Sequence, residues 1–344
     1  MNKKALVAMS GGVDSSVCAY LALKNGYECI GATMRLCSKD AFSEDAADAA
    51  RVCASLGIEH RVFDMYDEFE QKVIRNFVQS YEKGDTPNPC IECNRHLKFG
   101  LLYEKAKELG CDTIVTGHYA RIEKVGKEHQ LKKALDISKD QSYVLYSIDR
   151  NILGNIYFPL GDITKQEARS IASEMGFVTA HKSDSQDICF VPDGDYASVI
   201  SSYSGNICPE GDFVDVSGKV IGRHKGIIHY TVGQRKGLGI AFGKPMYVKE
   251  KDANTNKVVL ASNEELFSRE LLAKDFNFLI PAPVEPLRIC AKIRYNQKEQ
   301  PATLYLAEDN KVRIVFDEPQ RAIAKGQAVV IYHEDRVCGG GTIT

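Results

Sequence analysis

Short apolar runs alternate with helical periods through the first stretch of about 120 residues, the pattern of strand, helix, strand repeats. Residues 5–9 predict a buried strand and residues 15–24 a helix ended by Asn25-Gly26. Residues 29–34 predict a second strand, and 43–56 a helix stopped by Gly57. Residues 60–63 and 113–116 predict further strands, with a long helix over 97–109 closed by Gly110. This order predicts an α/β fold with an open parallel sheet covered on both faces. Ligands in such sheets sit beyond the carboxyl ends of the strands, so the loops after Met9, Met34 and Thr116 are where a site is expected. From about Ile207 the texture changes to β-branched residues and glycine. Strands are expected at 219–221, 246–248 and 257–260, then one short helix at 264–273. A Pro-rich stretch (Pro281, Pro283, Pro286) leads to strands at 288–294, 302–306, 312–316 and 328–332, suggesting a small barrel or sandwich. The expected division is 1–205, a β-rich central unit at 206–272 and a C-terminal β-barrel at 273–344.

Composition narrows the class without naming a chemistry. The 344 residues are 44% hydrophobic and 26% charged, with a formal charge of −2, so no global basic excess marks a nucleic-acid partner. No apolar run is long enough for a membrane span, and the N-terminal apolar stretch is too short for an export signal. A cytoplasmic location is therefore expected. The charge is uneven, however. Between Asp215 and Lys251, eight Lys and Arg stand against two acids, a local net of +6 interleaved with His224, His229 and Tyr230. That suits a loop meeting phosphates, although a charge run is more often a solvated face.

Eleven cysteines in a chain of this size argue against a disulfide scaffold. Most, such as Cys18, Cys29, Cys53 and Cys111, sit among apolar neighbours and read as small buried hydrophobes. Cys90, Cys93 and Cys189 lie in polar, Pro-rich or Asp-rich segments and read differently.

Ser10-Gly11-Gly12-Val13-Asp14-Ser15-Ser16 follows the first strand and opens the first helix. The glycines let backbone N–H groups approach an anion, and the helix N-terminus favours a phosphate. Asp14 is placed to help hold magnesium. The lysine of a kinase-type phosphate loop is absent, so γ-phosphoryl transfer is not expected. This motif resembles that of the PP-loop ATP pyrophosphatases, which split ATP between the α and β phosphates and leave AMP on a substrate oxygen. Further blocks are similar to the tRNA-specific 2-thiouridylases (MnmA). They are Thr86-Pro87-Asn88-Pro89 with Cys93-Asn94, Thr116-Gly117-His118-Tyr119-Ala120-Arg121, Lys139-Asp140-Gln141-Ser142-Tyr143 and Asp184-Ser185-Gln186-Asp187-Ile188-Cys189-Phe190. The series continues with Tyr230-Thr231-Val232-Gly233-Gln234-Arg235-Lys236-Gly237-Leu238-Gly239 and Glu318-Pro319-Gln320-Arg321-Ala322-Ile323-Ala324. The blocks keep family order over nearly the whole chain.

The resemblance implies a HUP-like first unit and a definite reaction. ATP adenylates O2 of the wobble uridine of tRNA, and a sulfur carried on cysteine replaces that oxygen at C2, releasing AMP. It implies that Ala8, Met9, Ser10, Gly11, Gly12, Val13, Asp14 and Ser15, with Met34 and Gly117, bind ATP. It implies target-base or tRNA contacts at Asn88, Pro89, Cys90, Lys139, Asp140, Gln141, Arg294 and Tyr295. Cys93 matches the nucleophile and Cys189 the persulfide carrier. Lys182 and Lys139 are candidates for favouring the thiolates. The implied partners are tRNA, in the Lys, Glu and Gln isoacceptors, and a cysteine desulfurase or sulfur-relay protein.

One position departs from the pattern. Where the family more often reads Asn-Pro-Asp-x-x-Cys, this chain has Asn88-Pro89-Cys90-Ile91-Glu92-Cys93. A lone Cys-x-x-Cys is a redox pair or half a zinc site, with His96 as a conceivable further ligand. Alternatively Cys90, Cys93 and Cys189 hold a [4Fe–4S] cluster with one open iron for sulfide. Its rival is persulfide and disulfide chemistry on Cys93 and Cys189 with Cys90 a bystander. Two other readings are a PP-loop ligase with a small-molecule acceptor and an RNA-binding scaffold with a decayed ATP site.

Overall fold

The computed structural model describes residues 3–37, 44–183, 188–191, 194–204, 209–240, 243–309 and 311–344. Asp184, Ser185, Gln186 and Asp187 of the sequence motif lie outside the described residues.

The first unit is built on a parallel sheet. β1 (Lys3–Ala8) runs into α1 (Val13–Lys24), followed by β2 (Tyr27–Arg35), α2 (Glu44–Leu56), β3 (Glu59–Asp64) and β4 (Thr113–Val115). The spatial order is β3-β2-β1-β4, with Ile156–Tyr157 pairing parallel beyond β4. Side chains alternate across a strand, so β1 feeds two cores. Leu6 joins Ile30, Ile114, Phe69, Phe77 and Leu97 on one face. Ala5 and Val7 join Val17, Cys18, Cys29, Cys53 and Val115 under α1 and α2 on the other. Burial on both faces is why β1 reads as an unbroken apolar run. The chain leaves β1 towards β2 and returns on its other side as β4, so the sheet's switch point opens between the carboxyl ends of β1 and β4.

The expected helix at 97–109 begins earlier. Asn88 caps it, its Oδ1 accepting from the Cys90 N–H at 3.2 Å, and Pro89 takes the first helical position. The middle, Cys93–Leu101, is π-helical, and the α-helix resumes at Leu102–Glu108.

The central unit is a four-stranded sheet, in the order Tyr247–Asp252, Lys257–Ala261, Gly211–Val214, Val220–His224. The barrel strands are Phe267–Phe278, Leu287–Lys292, Gln300–Leu306, Val312–Arg321, Ala328–His333 and Arg336–Ile343. The first of these pairs with the last, which closes the cylinder. The helix expected at 264–273 is a correction: only a 3₁₀ turn, Glu264–Leu266, precedes a strand from Phe267. Leu271 and Ala273 are buried while Glu270, Leu272 and Lys274 face out, a period of two that pairs with Ile314 and Val312. A hairpin of Ala120–Val125 and Glu128–Lys133, unforeseen in the sequence, leaves the first unit and pairs with the last barrel strand at Arg336.

The three units meet just before the Cys-x-x-Cys helix. Thr86 N–H donates to the Lys325 carbonyl at 2.8 Å, and Lys251 Nζ donates to the Asp85 carbonyl at 3.2 Å. Gly161 marks another tight junction, because a Cβ there would overlap the Ala120 carbonyl at the root of the hairpin. Gly161→Ala is therefore expected to cost about 2–3 kcal/mol, as overpacking does. Chemical denaturation should show the loss; an unchanged midpoint would contradict it.

Candidate active site

The nucleotide loop forms because β1 ends at Ala8 and α1 starts at Val13 with Gly12 as its N-terminal flanking residue. Gly11 takes φ +72°, the left-handed region open to glycine. Ser15 Oγ accepts from the Ser10 N–H at 3.2 Å and donates to the Gly12 carbonyl at 3.1 Å, locking the turn. Ser16 Oγ donates to the same carbonyl at 2.9 Å. Thr33 Oγ1 donates to the Met9 carbonyl at 2.9 Å, tying the loop to the end of β2 that carries Met34. Gly117, beyond β4, lies against α1: a Cβ on it would stand 3.2 Å from Asp14 Cβ. The residues expected to bind ATP thus converge on the switch point.

Two neighbours of Asp14 went unforeseen. Lys165 Nζ meets its carboxylate oxygens at 2.7 and 2.9 Å, and Tyr119 Oη donates to it at 3.1 Å. Lys165 opens the helix Lys165–Glu174, whose capping box joins Thr164 and Glu167. The Thr-x-x-Glu spacing was the available signal for placing it. The carboxylate of Asp14 is thus already paired with a cation, Lys165, at the mouth of the loop.

Cys93 is buried and Cys90 exposed, one turn apart at the helix start. Cys189 reaches them on a short turn closed by Val191 N–H to the Ile188 carbonyl at 2.8 Å. Phe190 anchors that turn edge-on against Phe69 and Phe77, at centroid distances of 5.7 and 5.3 Å. Burial pushes the Cys93 thiol up to about 11, against the pull of Lys98. Cys90 presents part of its surface to solvent, but the packing around its thiol raises it, again opposed by Lys98. Cys189 is raised, first by a hydrogen bond shared with Cys37 and then by burial; that hydrogen bond lowers Cys37. Cys37 is exposed and stands at the site.

Lys98, not Lys182 or Lys139, is the cation acting on the thiols. Hydrogen bonding from i to i+5 in the π-helical stretch stacks Lys98 over the turn of Cys93. Its ammonium can only donate, so His118 Nε2 accepts it at 3.4 Å, and His118 Nδ1–H donates to Thr116 Oγ1 at 2.6 Å. Burial holds the His118 imidazole neutral, its pKa well below the ordinary value. Lys182 pairs instead with Asp45 at 2.9 Å and with Asp48. Lys139 sits in the 136–140 turn, where its charge helps stabilise the Asp136 carboxylate. His96 pairs with Glu92 at 3.2 Å on the exposed side of the helix.

The residues expected to meet tRNA divide in two. Tyr295 brings the barrel to the cysteines: Cys90 acts on its phenol, its ring lies edge-on to Tyr143 at 6.1 Å, and Lys292 stands over both rings at 5.7 Å. Asn88 and Pro89 are beside Cys90. Asp140 is turned inward, accepting from Ala134 N–H at 3.0 Å and Ser142 Oγ at 2.8 Å. Gln141 Oε1 accepts from Tyr119 N–H at 2.9 Å, and Arg294 donates to the Val232 and Ala322 carbonyls at 3.2 and 2.8 Å. The hydrogen-bonding groups of these three are spent within the protein.

Among the described residues, no three His, Cys, Asp or Glu side chains are arranged to hold a metal ion. Cys90, Cys93 and Cys189 nonetheless act on one another electrostatically, so the three thiols share one site. They fit thiol chemistry of graded reactivity. Maleimide is expected to modify Cys37 first at pH 7.5. Modification of Cys93 should rise about tenfold per pH unit towards 11, following its thiolate. Peptide mapping across pH measures this, and a flat Cys93 profile would contradict it.

Models of known families match the chain in three consecutive pieces. They are a tRNA methyl transferase HUP domain over residues 3–193, a tRNA methyl transferase PRC-barrel domain over 198–262 and an aminomethyltransferase beta-barrel domain over 268–343. The tRNA-specific 2-thiouridylase MnmA of Clostridioides difficile is 49% identical over 356 aligned positions, covering 100% of this chain and 98% of that protein. The protein of the same name from Acetivibrio thermocellus is 50% identical, covering 99% of each. A solved U34-tRNA thiolase from Methanococcus maripaludis with its [4Fe-4S] cluster aligns at 21% identity over 60% of this chain and 65% of that one. Its TM-score is 0.37, too partial a likeness to carry an inference. The nucleotide loop at the switch point, the cysteines gathered beside it and the full-length identity together place the chain in the tRNA-specific 2-thiouridylase (MnmA) family.

Proposed function

We propose that the protein carries out ATP-dependent 2-thiolation of the wobble uridine of tRNA, with persulfide chemistry at Cys189. The observation that carries this is the meeting of a PP-loop with Cys90, Cys93 and Cys189 around Lys98. Ala8 to Ser15, Met34 and Gly117 hold ATP so that O2 of the uridine attacks the α-phosphorus and pyrophosphate leaves. Lys165 follows the departing phosphates, and Asp14 takes the magnesium that accompanies ATP. The adenylated C2 is then electrophilic, with AMP as leaving group. The outer sulfur of a Cys189 persulfide attacks C2 and AMP departs. A second thiolate, Cys93 by the family pattern, attacks Cys189 Sγ, forms a disulfide with it and leaves C2=S on the base.

Tyr295, Asn88 and Pro89 stand beside Cys90, where a flipped-out base would be received and an aromatic face suits stacking. The +6 stretch of the central unit supplies charge for the tRNA backbone. The family suggests tRNAs for Lys, Glu and Gln, and a cysteine desulfurase or relay protein as donor. A cytoplasmic setting agrees with this substrate; no helix among the described residues is long and apolar enough to cross a membrane.

Pyrophosphate release separates this reading from a small-molecule ligase or a scaffold. Release is expected only when tRNA and Mg-ATP are both present. Equal release without tRNA, or none with it, would overturn the proposal.

A further inference from the structure

Cys37 is the thiol that the reaction above does not use. It lies just past β2, three residues beyond Met34, so it stands at the nucleotide end of the sheet. Cys189 comes from a distant part of the chain, yet the two thiols act on one another, Cys189 being raised and Cys37 lowered. The Cys37 thiol also donates to the Cys189 carbonyl oxygen at 3.9 Å. Both residues are exposed, whereas Cys93 is buried. The pair is therefore open to a sulfur donor. Thiolate character is distributed to match: the shared hydrogen bond favours charge on Cys37, while burial opposes it on Cys93. A good attacking thiol is one whose thiolate is available near ambient pH, and the Cys37 sulfur already touches the residue it would attack.

We propose that Cys37 is a further reacting thiol of this site, the resolving partner of Cys189. Its thiolate attacks Cys189 Sγ when that sulfur carries a second one. The Cys189 S–S bond breaks, a Cys37–Cys189 disulfide forms, and the outer sulfur leaves with the electron pair. Without substrate the leaving group is hydrosulfide. Two thiols are thereby oxidised to one disulfide, and an external dithiol reductant must reopen it before the next turnover. The inference rests on the persulfide reading of Cys189, which the test below addresses separately.

The full-length chain is loaded by a cysteine desulfurase with L-cysteine, without tRNA. Hydrosulfide is trapped with a bimane reagent, and peptides are mapped without reduction. Cys93→Ser protein is expected to release hydrosulfide and to yield a peptide joining Cys37 to Cys189. Cys37→Ser/Cys93→Ser protein should stop at a stable Cys189 persulfide and release none. Because Cys37 is exposed, its serine variant should keep the wild-type circular dichroism, so lost release is not lost fold. A Cys189 persulfide that persists in Cys93→Ser protein, with no Cys37 cross-link, would overturn the role of Cys37 and leave the persulfide reading standing. Absence of any sulfur on Cys189 in the wild type would overturn both.

Discussion

Replacing Cys189 with serine is expected to lower tRNA thiolation by on the order of a thousandfold or more while leaving tRNA-dependent pyrophosphate release near the wild-type rate. The split follows from where Cys189 stands. Its turn is held by Phe190 against Phe69 and Phe77, whereas the nucleotide loop is held by its own Ser15 and Ser16 and by Thr33. A hydroxyl keeps that anchor but forms no persulfide. Adenylated tRNA should therefore form and then hydrolyse, giving AMP without sulfur. Parallel assays of pyrophosphate and 2-thiouridine measure both halves. A loss of pyrophosphate release equal to the loss of thiolation would mean that Cys189 supports the first step as well.

Gly11→Ala should do the reverse and remove adenylation itself. At φ +72° an alanine costs about 1–2 kcal/mol, and its Cβ would overlap the backbone of Asp45 at the start of α2. α2 is not free to retreat, because Lys182 holds Asp45 and Asp48 together. Strain and collision together are expected to lower pyrophosphate release by on the order of a hundredfold, each 1.4 kcal/mol being tenfold. Gly26→Ala is the control. Its φ is +81°, but a Cβ there meets nothing within 4 Å, so it carries strain without collision and should leave adenylation intact. Similar losses in both variants would show that backbone strain, not the contact with α2, sets the effect.

Legibility in the sequence followed distance along the chain. The parallel strands were readable because burial on both faces writes an apolar run into consecutive residues, as at Ala5, Leu6 and Val7. The nucleotide loop was readable because glycines, a serine that locks the turn and a helix start occur within seven residues. Cys90, Cys93 and Cys189 stood out by their polar surroundings. Cys37 did not, since its partner is 152 residues away and only the fold joins them. Lys98 and Lys165 were passed over for a related reason: one acts through a π-helical turn and a buried neutral histidine, the other across the sheet to Asp14. At 264–273 a helical spacing of apolar residues competed with strand alternation, and barrel closure decided for the strand. Asp140 is polar in sequence, yet its carboxylate is consumed by the 134–142 turn.

The central claim is that sulfur reaches uridine C2 from a cysteine persulfide of this chain. Protein freed of iron is incubated with unmodified tRNA, Mg-ATP, a cysteine desulfurase and L-cysteine, and the nucleosides are read by mass spectrometry. The account predicts 2-thiouridine at the wobble position, dependent on Cys189. A product that appears only after an iron–sulfur cluster is rebuilt on the chain, and never in its iron-free form, would contradict it.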